Sequence, residues 1–251
     1  MLDAHHLLRN RPLRHAQTAG LGVLFFALSA LSGSGAHGQE AADESTAPAA
    51  IEEAADAGAT EGRDAISTNE SAIRAPVEAL YATLLEVMQQ ADALGFPGRY
   101  AKLEPVVKTA YDIEFMASRV VGRQYQKLDP EQQAAWLDTF GRLTIATYAD
   151  RFDGFDGERL EMGTVESSSG GTWIVRTVLY PSDDEPVQLD YRMRNTAEAW
   201  RIVDVYLGGT VSELALRRSD YSGVLRKDGF EALEKAIEAK IAEAEAGTDD
   251  D

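Results

Sequence analysis

The stretch that decides the fold is WRIVDVYLGGTVSELALRRSDY, residues 200–221. Its first half, WRIVDVYL, has the period of two that is typical of a β-strand, so we expect Ile202 and Asp204 on one face and Val205 on the other. The two glycines that follow end the strand, because glycine accepts backbone angles that other residues avoid. Ser212 is then the predicted N-cap of a helix whose apolar residues recur at helical spacing. A strand that turns directly into a helix predicts a two-layer wedge, with the helix lying back over the sheet.

The part of the chain that precedes the strands has the period of a helix. One apolar stripe begins near Ile73 and ends at Gly95, and a second helix is predicted over 99–110. A third helix begins after Asp112. The motif DPEQ from Asp129 is a strong start signal for a long fourth helix, with an aspartate cap, a proline in the first turn and a glutamine that can complete a capping box.

Four strands are predicted at 159–165, 173–180, 187–194 and 200–207, joined by short connections. Short connections are typical of an antiparallel meander. An amphipathic helix over 230–241 closes the domain. Helices followed by a meander and then by helices predict an α+β fold, in which the helices cover one face of a curled four-stranded sheet.

The first 38 residues are predicted to be a secretory signal peptide. Three arginines up to Arg14 precede the short apolar run AGLGVLFFALSAL, which begins at Ala19, and small residues from Ser32 to Gly38 form a cleavage zone. The apolar run is shorter than the ~20 residues that a membrane span needs. An uncleaved anchor is the alternative. In both cases the domain is exported, which in a bacterium means the periplasm.

The formal net charge of −18 is concentrated at the two ends of the exported part. The segment 39–71 holds nine acidic side chains against Arg63, and five more acids follow from Glu243 to the C-terminus. Because the same segment offers almost nothing to bury, we predict a disordered acidic linker there, a folded domain over 72–245 and a disordered acidic tail over 246–251. Nucleic acid is not expected as a partner, since phosphate neutralisation needs basic patches.

Few side chains are available for nucleophilic or metal chemistry. The chain has no cysteine, and its four histidines all lie at or before His37. Without the signal peptide the domain has neither residue, which excludes Ser-His-Asp hydrolysis, thiol chemistry and nearly every familiar zinc site. Glu158, Asp190 and Asp204 remain as candidates for the carboxylate pair of a hydrolase, the remote alternative, although Asp190 is expected to be solvated or paired with an arginine. We therefore expect no enzyme, catalytic residue, cofactor or metal.

Large apolar side chains are abundant in a domain of this size, among them Trp136, Phe140, Tyr148 and Tyr191. Composition does not distinguish a core that they fill from a pocket that they line, so both interpretations stay open. Such a pocket would open at the strand-to-helix joint, where we expect the glycines to let the helix pivot without breaking the sheet.

Several motifs resemble the MlaC/toluene-tolerance family, whose members are periplasmic auxiliary components of lipid-transport ABC systems. They are LDPEQ from Leu128, FGRL from Phe140, TYADRF from Thr147, VQLDYR from Val187, WRIVDV from Trp200 and the segment from Ser212 to Tyr221. Their order and spacing are typical of the family, and the resemblance covers roughly residues 75–241, nearly all of the predicted domain.

One branch of the family is more similar than the others. The segments FDGFDGERL and DVYLGGTVSELALRRSDYSGVL resemble the hopanoid-biosynthesis-associated branch, HpnM. Between Gly209 and Ser212 this chain reads Gly-Thr-Val-Ser, one residue longer than the Gly-Val-Ser that is usual in MlaC-like sequences. The extra residue lies at the expected mouth of the pocket, which bears on the kind of lipid bound.

The resemblance implies an NTF2-like wedge whose apolar cavity, between sheet and helices, takes lipid acyl chains while the headgroup stays outside. We expect the cavity to be lined by Phe115, Met116, Phe140, Tyr148, Phe152, Val175, Leu189, Tyr191, Met193, Val205, Leu207, Leu214 and Tyr221. The mouth is expected at Gly208, Gly209, Arg217 and Arg218. Because consecutive helical residues stand about 100° apart, the two arginines cannot both point inward.

The resemblance also implies a function and partners. We expect a monomeric carrier of phospholipid or hopanoid that touches membranes transiently and docks to an ABC-type or RND-type transporter complex of the inner membrane. The alternative is a non-transporting scaffold of hopanoid biosynthesis, which needs no large cavity.

Overall fold

The computed structural model describes residues 56–182 and 184–247, with side chains from residue 69 onward. The predicted signal peptide lies outside the described residues, as do 39–55 of the predicted linker and the acidic end 248–251. Within the described part, no helix is long and apolar enough to cross a bilayer.

The described residues form six α-helices around one sheet. The α-helices are α1 (Asp56–Gln89), α2 (Ala91–Ala110), α3 (Ile113–Val121), α4 (Pro130–Arg151), α5 (Glu213–Lys227) and α6 (Phe230–Ala246). A 3-10 helix, Gly122–Lys127, separates α3 from α4.

The sheet is an antiparallel meander of five strands in chain order. The strands are β1 (Arg159–Ser167), β2 (Trp173–Tyr180), β3 (Val187–Asn195), β4 (Trp200–Leu207) and β5 (Val211–Ser212). The predicted α+β architecture is therefore confirmed. The fifth strand, β5, is not among the four predicted strands, because a strand of two residues is too short to show a period.

Helix α1 begins at Asp56, so it includes residues 56–71, for which the composition predicts disorder. Alanine, glutamate and arginine favour helix, and a helix anchored by packing further along the chain extends readily into such residues. That anchor begins at Ile73, which is fully buried, as are Val77 and Leu80. The helix also ends earlier than predicted, at Gln89.

The start signals of two helices act as the sequence predicts. The Asp129 carboxylate accepts a hydrogen bond from the backbone N–H of Gln132 at 2.9 Å, and the Gln132 side chain accepts one in return from the backbone N–H of Asp129 at 3.0 Å. This capping box begins α4. Asp112 caps α3 by accepting from the backbone N–H of Phe115 at 3.1 Å.

The predicted alternation of β4 is interrupted by a bulge. Arg192 faces Asp204 across the strand pair, but the next residue, Met193, faces Ile202, so Val203 is an extra residue on β4. A bulge of this kind shifts the side chains on one side of it to the opposite face. The prediction that Ile202 shares a face with Asp204 is therefore wrong. Ile202 joins the core face with Met193.

The helices close over the core face of the sheet and are tied to one another by buried polar contacts. Helix α1 contacts β1, β2 and β4, α4 packs against α2 and α6, and α3 packs against α5. The Trp136 indole N–H of α4 donates to the Ala117 carbonyl of α3 at 2.9 Å. The Arg99 guanidinium of α2 donates to the Ala149 carbonyl at 2.7 Å. These bonds satisfy buried donors and fix the helix layer.

Candidate functional site

The two glycines after β4 form the turn of a hairpin and do not lead directly into a helix. Gly208 and Gly209 have φ of 58° and 71°, a left-handed conformation that favours glycine. A Cβ on Gly209 would lie 2.9 Å from the side-chain nitrogen of Gln188, so a larger residue would require that side chain to shift. The chain then pairs with β4 again as Val211–Ser212. The freely pivoting joint expected from the sequence is thus held by strand pairing.

Asp204 fastens the start of α5 to β4. Its buried carboxylate accepts hydrogen bonds from the backbone N–H of Val205 at 2.9 Å, the Ser212 hydroxyl at 2.6 Å and the backbone N–H of Leu214 at 3.0 Å. Ser212 in turn accepts from the backbone N–H of Ala215 at 3.0 Å, the cap that the sequence predicts. Burial raises the pKa of Asp204, although the three hydrogen bonds favour the carboxylate and act in the opposite direction.

A cavity of about 20 Å³ lies between α3, α4 and α5. Four of the predicted lipid-site residues line it: Met116, Tyr148, Phe152 and Arg217. The rest of its wall consists of Tyr111, Thr144, Thr147, Arg151 and Glu213. Ligand cavities are commonly ~300–1,000 Å³. Side chains therefore nearly fill this site, in contrast to the larger apolar cavity that the resemblance implies.

Arg217 is a cation at this cavity with an unused donor. Its guanidinium pairs with Glu213 one turn earlier and stands over the ring of Phe140, 5.7 Å from the ring centroid. Its Nη1 nitrogen is buried and has no hydrogen-bond partner among the described residues. Desolvation is the largest influence on the pKa of Arg217 and acts to lower it, but the charge and hydrogen bond of Glu213 and the Tyr221 and Tyr148 phenols together outweigh it, so the pKa is raised. The group stays charged, with one nitrogen free to bind an added acceptor.

Tyrosine phenols make the interior beside the cavity partly polar. The hydroxyls of Tyr111 and Tyr148 are hydrogen-bonded to each other, and that of Tyr81 is bonded to the Thr177 hydroxyl. The ring of Tyr81 stands edge-on to that of Tyr191, with centroids 5.7 Å apart. Burial raises the pKa of Tyr81 to about 12 and holds the pKa of Tyr111, Tyr148 and Tyr191 well above the usual value of 10.0. The phenols remain neutral hydrogen-bonding groups at ordinary pH.

Arg218, the other predicted headgroup residue, lies in a separate open groove of about 570 Å³. Phe115, predicted for the lipid cavity, lines this groove too. The other wall residues are Ser118, Arg119, Gly122, Arg123, Tyr125, Gln126 and Gln133. The different surroundings of Arg217 and Arg218 agree with the angle between consecutive helical residues.

The other predicted wall residues belong to the packed interior or border it. They are Phe140, Val175, Leu189, Tyr191, Met193, Val205, Leu207, Leu214 and Tyr221. Most are buried, and Val175 and Met193 are fully so. The structure thus supports the filled-core interpretation for this group.

The three carboxylates considered for hydrolysis are engaged separately. Asp190 is fully buried and pairs with Arg176, so the expected arginine pairing is confirmed while the solvated alternative is wrong. Asp204 fastens α5, and Glu158 accepts from the backbone N–H of Asp156 at 2.7 Å. Among the described residues, no group of three or more acidic side chains is placed to hold a metal.

Several residues of the site were missed at the level of sequence. Arg151 lies three residues after Tyr148, and Glu213 lies four before Arg217, so helical spacing around the predicted residues is a signal that finds both. Tyr111 lies between α2 and α3, where no periodic pattern indicates that a side chain points inward.

Two sequence comparisons point to the same family, and a solved structure has a similar fold. A sequence model described as MlaC protein matches residues 78–239. The intermembrane phospholipid transport system binding protein MlaC of Haemophilus influenzae is 24% identical over 126 residues, which cover 49% of this chain and 58% of that relative. A solved structure of the phospholipid-binding protein from Ralstonia solanacearum, in complex with a phospholipid, superposes with a TM-score of 0.60 at 19% identity, over 68% of this chain and 98% of that chain. At 19% identity, the similarity to this solved structure shows a shared fold only.

Proposed function

Because this chain belongs to the MlaC family, we propose that it is a lipid-binding protein that carries phospholipid or hopanoid between membranes. The observation that carries the proposal is the buried, unpartnered Nη1 of Arg217 at the cavity between α3, α4 and α5. A guanidinium N–H forms a strong, charge-assisted hydrogen bond with a phosphate oxygen, and the free Nη1 can donate in this way while Nη2 stays paired with Glu213. The relative and the solved structure are named for phospholipid, which supports phosphate as the group that Arg217 binds.

Lipid entry requires the interior to rearrange. A space of about 20 Å³ holds no acyl chain, since ligand cavities are ~300–1,000 Å³. The start of α5 is held by β5 and by Asp204, so the N-terminal end of this helix is the fixed end. The opening is therefore expected where the later part of α5 and the start of α6 move away from α3 and α4, which would separate Tyr221 and Phe230 from Trp136.

The finer assignments rest on the resemblance of particular segments. The FDGFDGERL segment and the lengthened joint before Ser212 favour the HpnM branch and with it a hopanoid as cargo. The signal-like N-terminus favours the periplasm. A monomer that docks to an ABC-type or RND-type complex of the inner membrane fits this assignment.

The test is the lipid content of the purified protein. Native mass spectrometry and organic extraction should yield near-stoichiometric lipid, and its identity separates phospholipid from hopanoid. Arg217→Gln should reduce retention of phosphatidylglycerol but not of a neutral hopanoid, because only the first presents a phosphate. Arg226→Gln is the matched control, an exposed arginine later on the same helix. Equal retention of both lipids by Arg217→Gln would show that Arg217 is structural.

A non-transporting scaffold of hopanoid biosynthesis is the second candidate, and the nearly filled interior favours it. A scaffold needs a partner surface but no space for an acyl chain. Protein purified without lipid that also takes up none from vesicles would support the scaffold and contradict the carrier.

A further inference from the structure

The groove that Arg218 lines is unusually basic for this protein. Arg119, Arg123 and Arg218 all face it, all three are exposed, and its wall contains no carboxylate. In the described part of the chain, none of the three forms an ion pair or donates a hydrogen bond. The whole chain has 42 acidic residues against 24 basic ones, so unpaired guanidinium groups are not expected to gather by chance.

One cation of the groove, Arg119, is oriented by an aromatic ring of the wall. The Arg119 guanidinium stands over the ring of Phe115 at 4.8 Å from the centroid, and Arg194 stands over the same ring at 4.7 Å. Contacts of this kind orient a guanidinium without neutralising it. Gly122 has φ of 57°, and a Cβ there would come within 3.5 Å of the Arg218 guanidinium. At that distance the Arg218 guanidinium lies in ordinary contact range of the Gly122 backbone.

We propose that this groove is the surface by which the protein contacts an anionic bilayer, with the three guanidinium groups binding lipid phosphate oxygens. Guanidinium is the side chain best matched to phosphate, and Phe115 and Tyr125 supply the aromatic groups that favour a membrane interface. Glu114, the carboxylate nearest in the sequence to Phe115, lines a different cleft. The pKa of Tyr125 is raised mainly by burial and to a smaller extent by the negative charge of Glu114.

The position of the groove suits such a contact. Arg218 follows Arg217 in the chain, so the groove and the cavity flank consecutive residues of α5. Contact with lipid phosphates at the groove would bring α5, the helix beside the cavity, to the bilayer surface. The inference goes beyond the proposed function, because a surface contact does not depend on what the cavity holds.

The test is cosedimentation of the exported chain with vesicles at low ionic strength. Binding is expected to phosphatidylglycerol vesicles and not to phosphatidylcholine vesicles, and it should weaken as salt is added. The triple variant Arg119→Gln, Arg123→Gln, Arg218→Gln should bind about 100-fold more weakly. Each cation near an anionic membrane surface strengthens binding about 5-fold, and three such factors multiply to about 100. The control variant Arg226→Gln, Lys227→Gln, Lys235→Gln removes the same charge from exposed cations outside the groove and should bind as the wild type does.

The possible outcomes separate the alternatives. Equal loss in both triple variants would show a general charge effect and overturn the proposal, as would failure of the wild type to bind phosphatidylglycerol vesicles. Displacement by inorganic phosphate, with ionic strength held constant by sodium chloride, would mark a site for a soluble phosphate instead. Co-purified lipid is measured in parallel. If the groove triple variant loses vesicle binding but retains its co-purified lipid, the groove is a membrane-contact surface. If it loses both, the arginines bind the cargo lipid, and the proposal is overturned.

Discussion

Replacing Asp204 with alanine removes the carboxylate that joins β4 to the start of α5. The change leaves three donors without their partner: the buried backbone N–H of Val205 at 2.9 Å, and the partly buried Ser212 hydroxyl and backbone N–H of Leu214 at 2.6 and 3.0 Å. An unpaired buried donor costs about 1–3 kcal/mol. Since the serine hydroxyl can rotate toward another acceptor, we expect the free energy of unfolding to fall by about 2–4 kcal/mol in total.

The assay combines urea denaturation with hydrogen exchange. The unfolding midpoint should fall while the urea dependence stays the same, as is expected when only stability changes. Exchange should accelerate first in the amides that begin α5, around Leu214 and Ala215, because their fastening to the sheet is lost.

The control is Asp220→Ala, which removes an exposed carboxylate from the same helix and should change stability by no more than about 0.5 kcal/mol. The stabilising role of Asp204 is refuted if Asp204→Ala is no more destabilising than this control. It is also refuted if exchange accelerates evenly over the whole domain, since the carboxylate would then have no particular role in holding α5.

Three further changes test the interior. Val205→Trp should destabilise by about 1–3 kcal/mol, because Val205 lies in a filled core, whereas unchanged urea unfolding would show that space is available there. Trp136→Phe removes the indole donor to the Ala117 carbonyl and part of a buried side chain, so the unfolding free energy should fall by about 1–3 kcal/mol; a loss below 0.5 kcal/mol would contradict the role of this bond. The pKa of Tyr81 is raised from 10.0 to about 12, so its contribution to stability is complete below pH 10 and is lost as the pH rises to about 12. Unfolding of wild type and Tyr81→Phe across that range should therefore show their difference in stability shrinking, and a constant difference would contradict the raised pKa.

The sequence by itself determined the class of fold and the ends of most elements. The positions of β2 and β3 and the start signals at Asp112, Asp129 and Ser212 depend on residues close in the chain, which is why they can be predicted without tertiary structure. The absence of cysteine, and of histidine after His37, likewise needed only the sequence.

Only the tertiary structure decided which side chains lie between the sheet and the helices. The bulge at Val203 arises from pairing with β3 and moves Ile202 to the core face, which no period within β4 indicates. The fastening of α5 by Asp204 joins residues from two elements, and which of Arg217 and Arg218 faces the cavity depends on the neighbours against which α5 packs. Whether the aromatic residues line a pocket or fill a core follows from how closely the helices approach the sheet. That distance is set by many long-range contacts together, so composition and spacing do not contain it.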